Sequence, residues 1–487
     1  MYRGKSIIEL QELLAKGQVT KEELFDNALK LANFFQADYN PFVTILDKSK
    51  FKDTGSLLCG IPYGLKDNFS TSGILTTGSS NILKDYVPVY DSTVYKKLKK
   101  AGATLVGKTV LDELAMGGTG TTGHTGIVRN PWDKERQIGG SSAGSAACVA
   151  LGITPFSIGS DTGDSVRKPA AYGGIVGFKP TYGRISRYGM FAFASSLDHV
   201  AMFTRNVKDA AIVTDVLKGK DEYDMVTIND DGKCYVDSLE DDIKGRKLFY
   251  IKEICDKEFY TDCEDADLMT SLDEFHSFIG KCRDLGFEVN GVSIDRALIE
   301  AIKPVYDVIS CAEATSNNAN LTGIQFGPRP DASSYQEIMM KARTEGFSEL
   351  IKRRFVLGSY ILQKENQEKL FLNAQRVRRL IVDKINELFK MYDGLILPAA
   401  GGGAPRFDET SEKLSSRFLL LENHLAIGNF GGFPSITIPY GMVDGMPIGI
   451  NITGRVKEDD LVLNMAHKIE KITGYKDLYC KVGEIDV

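Results

Sequence analysis

The sequence predicts an α/β fold built on a largely parallel or mixed β-sheet. Three observations carry that reading. From Leu57 onward, short β-prone runs alternate with helical ones, as they do where helices flank a sheet. Two capping-box signatures open the chain, Ser6 with Glu9 and Thr20 with Glu23, each just ahead of an apolar-periodic run. Strand-like runs return near the C-terminus after a stretch of long helices.

In chain order, the capping boxes start two helices, the second burying Leu24, Ala28, Leu31 and Phe35 on one face. A strand is expected over 61–65, a helix near 93–100 and a strand over 104–106. A helix over 142–151 and a strand over 156–158 follow. Residues 219–300 are more acidic and less apolar, with Asp-Asp pairs at 230–231 and 241–242, and read as peripheral. Long helices fill 335–391, and strands at 394–397, 435–438 and 448–452 rejoin the sheet.

A chain of 487 residues has the length of about two to four domains, or of one large α/β domain. With 43% hydrophobic and 25% charged residues, its composition is that of an ordinary globular protein. A net charge of −6 argues against a broad phosphate-gripping surface, so nucleic acid is not expected as a direct, sole partner. The basic clusters Lys96, Lys97, Lys99, Lys100 and Arg376, Arg378, Arg379 have the spacing of solvated helix faces. Eight cysteines without CxxC spacing support neither a metal knuckle nor a redox pair, and suit a reducing compartment. The charged, amphipathic N-terminus is unlike a signal peptide. The weakly polar run 146–159 contains Pro155 and is too short to span a bilayer. A cytoplasmic protein without membrane contact is expected.

Three motif matches invite chemistry that their surroundings do not support. Residues 102–109, GATLVGKT, fit the phosphate-loop pattern, but the intervening Ala-Thr-Leu-Val reads as a strand, not an amide-presenting loop. Residues 140–144, GSSAG, fit the nucleophile elbow with Ser142 at the centre. An elbow needs a strand before it and a histidine after it. The preceding PWDKERQIGG is loop-like, and His199, His276, His424 and His467 lack an acid–histidine context. His124 with Asp112 and Glu113 matches no common metal-ligand spacing.

Residues 139–174 are the most informative stretch. They hold Ser141, Ser142 and Ser165 among glycines and small residues, with no histidine. A serine nucleophile needs a proton acceptor, and the nearest upstream candidate is Lys66 in IPYGLKDN. An ordinary lysine is protonated at neutral pH; burial lowers its pKa by ~3 units, about 4 kcal/mol. A serine–serine–lysine relay therefore requires a dry Lys66, whereas a surface ion pair with Asp67 is the competing reading. Gly159 and Gly163 ahead of Ser165 predict a tight turn whose amides suit an oxyanion hole.

GGSSAGSA followed by GSDTGDSVRKPA, with Ser141 and Ser165 24 positions apart, resembles the amidase signature family. LDELAMGG, FKPTYGRISRYGMFAFASSLDHVAMFTRNVKDAA and RTEGFSELIKRRFVLGSY are similar to one branch, the A subunits of tRNA-dependent amidotransferases. The similarity runs from about residue 5 to 475 and is weakest over 219–300. It implies one domain over 1–487, with a central mixed sheet covered by helices on both faces. Within it, 1–56 form an N-terminal helical segment packed alongside, 57–218 the catalytic core and 219–300 a peripheral segment. Residues 301–487 complete the sheet and pocket.

The same resemblance implies that Lys66 is the base, Ser141 a bridging serine on a cis peptide and Ser165 the nucleophile. The amides of Thr162, Gly163, Asp164 and Ser165 hold the oxyanion. Ser142, a supporting hydroxyl, is grouped with the substrate-binding residues Tyr306, Arg354 and Glu422, which meet the amide, carboxylate and amine of glutamine. A guanidinium for a carboxylate and a carboxylate for an ammonium make chemical sense. The implied activity is glutamine hydrolysis, with no cofactor or metal on this chain. Ammonia passes to a B subunit that uses ATP and Mg²⁺ on misacylated Glu-tRNA(Gln) or Asp-tRNA(Asn), and a C subunit bridges the two. The alternatives are a stand-alone amidase for another small amide and a scaffold subunit with a decayed site. Three positions depart from the family pattern. Gly163-Asp164 stands for a double glycine, suiting a backbone with φ > 0; Glu422 stands for aspartate; Thr121 stands for a glutamate associated with ammonia passage.

Overall fold

In the computed structural model, which describes residues 2–49, 51–260, 265–408 and 423–482, eleven strands join in one sheet. They are β1 (Phe42–Ile45), β2 (Pro62–Lys66), β3 (Thr104–Thr109), β4 (Phe156–Asp161), β5 (Val176–Lys179) and β6 (His199–Thr204). β7 (Lys247–Ile251), β8 (Glu288–Val292), β9 (Gly394–Pro398), β10 (Ser435–Val443) and β11 (Met446–Gly454) complete the set. Their spatial order is β1-β3-β2-β4-β6-β5-β10-β11-β9-β7-β8. β2 runs parallel to β3 and β4, and β7 parallel to β8 and β9. The other ladders are antiparallel, so the sheet is mixed.

Both predicted capping boxes form. Glu9 N–H donates to Ser6 Oγ at 3.3 Å and Ser6 N–H to Glu9 Oε2 at 2.8 Å, opening α1 (Ile7–Ala15). Thr20 and Glu23 repeat this at 3.1 and 2.8 Å to open α2 (Lys21–Tyr39), each cap contributing about 1 kcal/mol. α2 buries Leu24, Ala28, Leu31 and Phe35, and α3 (Thr93–Ala101) connects β2 to β3.

Alternation along β6 defines the two faces. Val200 and Met202 pack with Val207, Ala210 and Val213 of α6 (Val207–Leu217) and with Val462 and Met465 of the helix Asp459–Thr473. Ala201 and Phe203 point the other way, onto Ala143, Ala146 and Ala147 of α4 (Ala143–Ala150) and Ala170 of α5 (Arg167–Gly173). Successive side chains of a strand face opposite sides, so the sheet is covered by helices on both. Among the described residues, no helix is long and apolar enough to cross a membrane.

The acidic segment expected to be peripheral supplies β7 and β8, the last two strands at one edge. Glu288 and Asn290 of β8 are exposed, and that half-polar alternation hides an edge strand in the sequence. The phosphate-loop match resolves as predicted: residues 104–109 are strand, all buried. Because β2, β3 and β4 are parallel, their C-terminal ends gather at one edge of the sheet. That edge, where open α/β sheets place their ligands, carries Lys66, Ser160 and Asp161.

Candidate active site

Lys66 is the last residue of β2, flanked by β3 and β4, and is 0% exposed. Its Nζ lies 2.9 Å from Ser141 Oγ, 2.8 Å from Ser142 Oγ, 2.9 Å from Ser160 Oγ and 3.3 Å from the Ser160 carbonyl. Burial lowers its pKa to about 7, against the opposing pull of Asp112, Asp161 and Asp198. The surface pair with Asp67 does not form. Asp67 lies 3.4 Å from Lys108 Nζ of β3 and accepts from Thr77 N–H at 2.8 Å, with both charged partners buried. Lys108 also donates to Phe69 O and Thr76 Oγ1, so the lysine of the phosphate-loop match is a buried structural cation.

The Gly140–Ser141 peptide is cis. The Ser141 carbonyl accepts from Asp112 N–H at 3.1 Å. Asp112 in turn accepts from the amides of Thr119, Gly120, Thr121 and Thr122 at 3.0–3.1 Å, cinching that loop beneath the serine. A Cβ at position 140 would stand 1.9 Å from Asp112 Oδ2, so only glycine fits there. With Asp112 so engaged, and Glu113 accepting from Ser80 Oγ and Ser348 N–H, these acids are occupied by protein donors. No metal-holding cluster occurs among the described residues. Thr121, at the position of the expected glutamate, pairs its hydroxyl with Thr119 at 2.7 Å.

Ser142, immediately before α4, is 0% exposed. Its Oγ donates to the Ser160 carbonyl at 3.0 Å and accepts from Ser160 N–H at 3.3 Å. It therefore forms a floor under Lys66. No strand precedes it, and no described histidine bonds it: His199 meets Leu197 O, His276 Cys255 O, His424 Pro398 O and His467 Glu240. The elbow reading has no geometry to support it.

From Asp161 the chain leaves β4 and turns through Thr162–Ser165 into α5. A fully buried pair fixes the turn: Arg167 Nη2 lies 2.9 Å from Asp161 Oδ1 and donates to the Gly163 carbonyl at 2.7 Å. Arg167 also donates to Leu425 O and Asn429 Oδ1, and Val166 N–H donates to Asp161 Oδ2. Burial pushes the Asp161 carboxyl up, but the Arg167 guanidinium outweighs it and holds the group well below its ordinary value. Arg167→Met leaves that carboxylate buried without its cation, and is expected to cost about 3–5 kcal/mol. A urea midpoint unchanged from wild type would contradict this.

No described acceptor bonds the N–H groups of Thr162, Gly163, Asp164 or Ser165, leaving four consecutive amides available. Neither Gly163 nor Asp164 has positive φ, so Asp164 needs no tolerance of a left-handed backbone. Glycine at 163 answers a close approach instead, because a Cβ there would lie 2.9 Å from Tyr306 Cε2. Asp164 lies 2.8 Å from Lys168 Nζ, with both side chains largely buried; burial raises its pKa and Lys168 opposes that. Ser165 is 4% exposed. Its carbonyl accepts from Ser142 N–H at 3.2 Å, and its hydroxyl bonds no described residue.

Tyr306, on the helix Ile302–Asn317, meets the loop at Gly163, and burial holds its phenol well above its ordinary pKa. Arg354, on the helix Glu349–Ile361, has its guanidinium 5.7 Å from the Phe193 ring centroid. It has no carboxylate partner among the described residues, and its buried Nε makes no hydrogen bond. Glu422 lies outside the described residues.

The sequence pattern described as Amidase matches residues 20–463. The chain belongs to the amidase family. The A subunit of glutamyl-tRNA(Gln) amidotransferase from Lactobacillus gasseri is 37% identical over 477 residues, covering 96% of this chain and 97% of that protein. The protein of that name from Nitrosococcus oceani is 36% identical over 485 residues, covering 97% and 98%. The crystal structure of the one from Thermotoga maritima matches with a TM-score of 0.81 at 33% identity, over 98% of this chain and 97% of that one. 6-Aminohexanoate cyclic dimer hydrolase shares the fold, with a TM-score of 0.79 at 23% identity.

Several residues that build this amidase site went unnoticed in the sequence. Ser160 holds Lys66 and accepts from Asn68 Nδ2 at 3.1 Å, and Asp161, Arg167 and Asn429 brace the loop. Asp161 and Arg167 stand inside the motif GSDTGDSVR itself. An Asp and an Arg flanking the turn signal a pair bracing it. Asn429 is 262 positions from Arg167 and left no local sign.

Proposed function

We propose that this amidase is the glutamine-hydrolysing A subunit of a tRNA-dependent amidotransferase, acting through Ser165, Ser141 and Lys66. The observation that carries the reading is the fully buried Lys66 amine 2.9 Å from Ser141 Oγ. Its near-full-length relatives named as A subunits support the substrate.

A neutral amine has two N–H bonds and one lone pair. The Ser142 hydroxyl proton is committed to the Ser160 carbonyl, so Ser142 Oγ takes one amine hydrogen, and the Ser160 carbonyl and Oγ stand ready to accept the other. The lone pair remains for the Ser141 proton. Lys66 then draws that proton while Ser141 takes one from Ser165, whose Oγ attacks the side-chain amide carbon. The free amides from Thr162 to Ser165 receive the oxyanion. Return of the protons expels ammonia, and water clears the γ-glutamyl ester by the reverse relay.

Arg354, without a carboxylate partner among the described residues, suits the substrate carboxylate in two-pronged contact. Glu422 takes the ammonium, and Tyr306 closes the amide end. Ammonia serves a B subunit that activates misacylated tRNA with ATP and Mg²⁺, with a C subunit joining the two in the cytoplasm. Thr121 in place of a glutamate means that any route for ammonia on this side is lined by hydroxyls.

Trapping the acyl-enzyme from labelled glutamine tests the reading, and a stable adduct surviving in Ser165→Ala would end it. Arg354→Met is expected to raise KM for glutamine at least tenfold, the scale of a lost charged hydrogen bond. Hydrolysis of an amide without a carboxylate should be unchanged. Equal losses on both substrates would remove Arg354 from the glutamine site.

A further inference from the structure

Asp198 lies just before β6, is 2% exposed and contacts two separate loops. Its Oδ1 accepts from Thr162 Oγ1 at 2.6 Å and from Ala194 N–H at 3.2 Å; its Oδ2 accepts from Phe193 N–H at 2.9 Å. Thr162 opens the run of free amides before Ser165. Phe193 lies beneath the Arg354 guanidinium, and its carbonyl accepts from Asn317 Nδ2 at 3.1 Å, at the end of the helix that carries Tyr306. One carboxylate thus ties the loop before the nucleophile to the wall that holds the free arginine. The next residue, His199, pairs with Asp161 across the β4–β6 ladder, so the sheet fixes the anchor while its partners are loop residues. Among the described residues, no other side-chain hydrogen bond holds Thr162.

We infer that Asp198 is a positioning residue, setting the oxyanion amides and the Arg354 wall in register with each other. The inference rests on the hydrolytic reading above. Losing the Thr162 bond disturbs only the loop. Exchanging the carboxylate for an amide keeps one oxygen for Thr162 and Ala194 but turns an NH2 toward Phe193 N–H, and so moves the wall. The two changes therefore separate kcat from KM.

The test uses the full-length chain, in the assembly where wild type turns over glutamine. Thr162→Val is expected to lower kcat about tenfold, below the loss from deleting an oxyanion donor outright, with KM within twofold of wild type. Thr162→Ser, which keeps the hydroxyl, should recover most of that loss. Asp198→Asn should raise KM about tenfold, with a smaller change in kcat than Thr162→Val gives. A second readout needs no glutamine: the rate at which a fluorophosphonate labels Ser165. There Ser165 Oγ forms the P–O bond, fluoride leaves, the proton passes to Lys66 through Ser141, and the P=O oxygen takes the oxyanion position. Labelling should slow in Thr162→Val and largely recover in Thr162→Ser. Wild-type labelling and kcat in Thr162→Val would overturn the inference. Hydroxyl-dependent labelling in a chain that does not hydrolyse glutamine would uphold it and sink the glutamine reading instead.

Discussion

Ser165→Ala is expected to reduce glutamine turnover by about a million-fold, the scale on which serine nucleophiles are lost. The fold should be undisturbed. The Ser165 hydroxyl bonds no described residue, and the contact that locates the residue, its carbonyl with Ser142 N–H at 3.2 Å, survives the change. Substrate affinity should survive too, because the free amides and Arg354 are untouched. The check is single-turnover ammonia release together with thermal denaturation and glutamine binding by calorimetry. Residual turnover within a hundredfold of wild type would transfer the nucleophile's role elsewhere.

Lys66→Met should abolish turnover to a similar degree while leaving a distinct signature in stability. In wild type, with the amine near 7 in the folded protein against an ordinary 10.5, the sign is fixed. Below pH 7 both folded and unfolded chains carry the proton, and folding bears the full cost of a buried ammonium. Between about 7 and 10.5 the folded chain releases it first, so stability rises with pH; above that range the cost is gone. The displacement corresponds to on the order of 5 kcal/mol. Relative to wild type, Lys66→Met is expected to gain at pH 6.5 and to lose that gain by pH 10. Turnover by wild type should rise about tenfold per pH unit below 7 and level above it, as the neutral base is populated. A wild-type rate independent of pH from 5.5 to 8 would mean that Lys66 does not serve as the base.

Most residues of the basic clusters lie on solvated helix faces, but Lys97 reaches back to Leu217 O and Lys218 O. Arg376 and Arg379 pair along their own helix with Glu368 and Asp383. Arg378 departs from its neighbours, reaching inward to Phe430 O and Ser196. All seven described cysteines are free thiols, six of them buried. Strands were legible where apolar residues run together, as in β2, β3, β4 and β9. They were missed in β1 and β5, each only four residues long, in β6 and β7, and in β8, where one face is wet.

Local order was written in the chain itself: the two capped helices, the alternation that makes an α/β sheet, and the serine–glycine turn before α5. Those depend on neighbours a few positions apart, and a single sequence records them. The sequence also named Lys66, Ser141 and Ser165 as reacting groups, but it left two environments open for the lysine. The tertiary structure chose between them. Parallel pairing of β2 with β3 gives Asp67 the Lys108 cation, 41 positions away, and so leaves Lys66 hydrogen-bonded to uncharged groups: three hydroxyls and a carbonyl. Whether an amine keeps its proton depends on how much water and which charges surround it, and strands distant in sequence decide both.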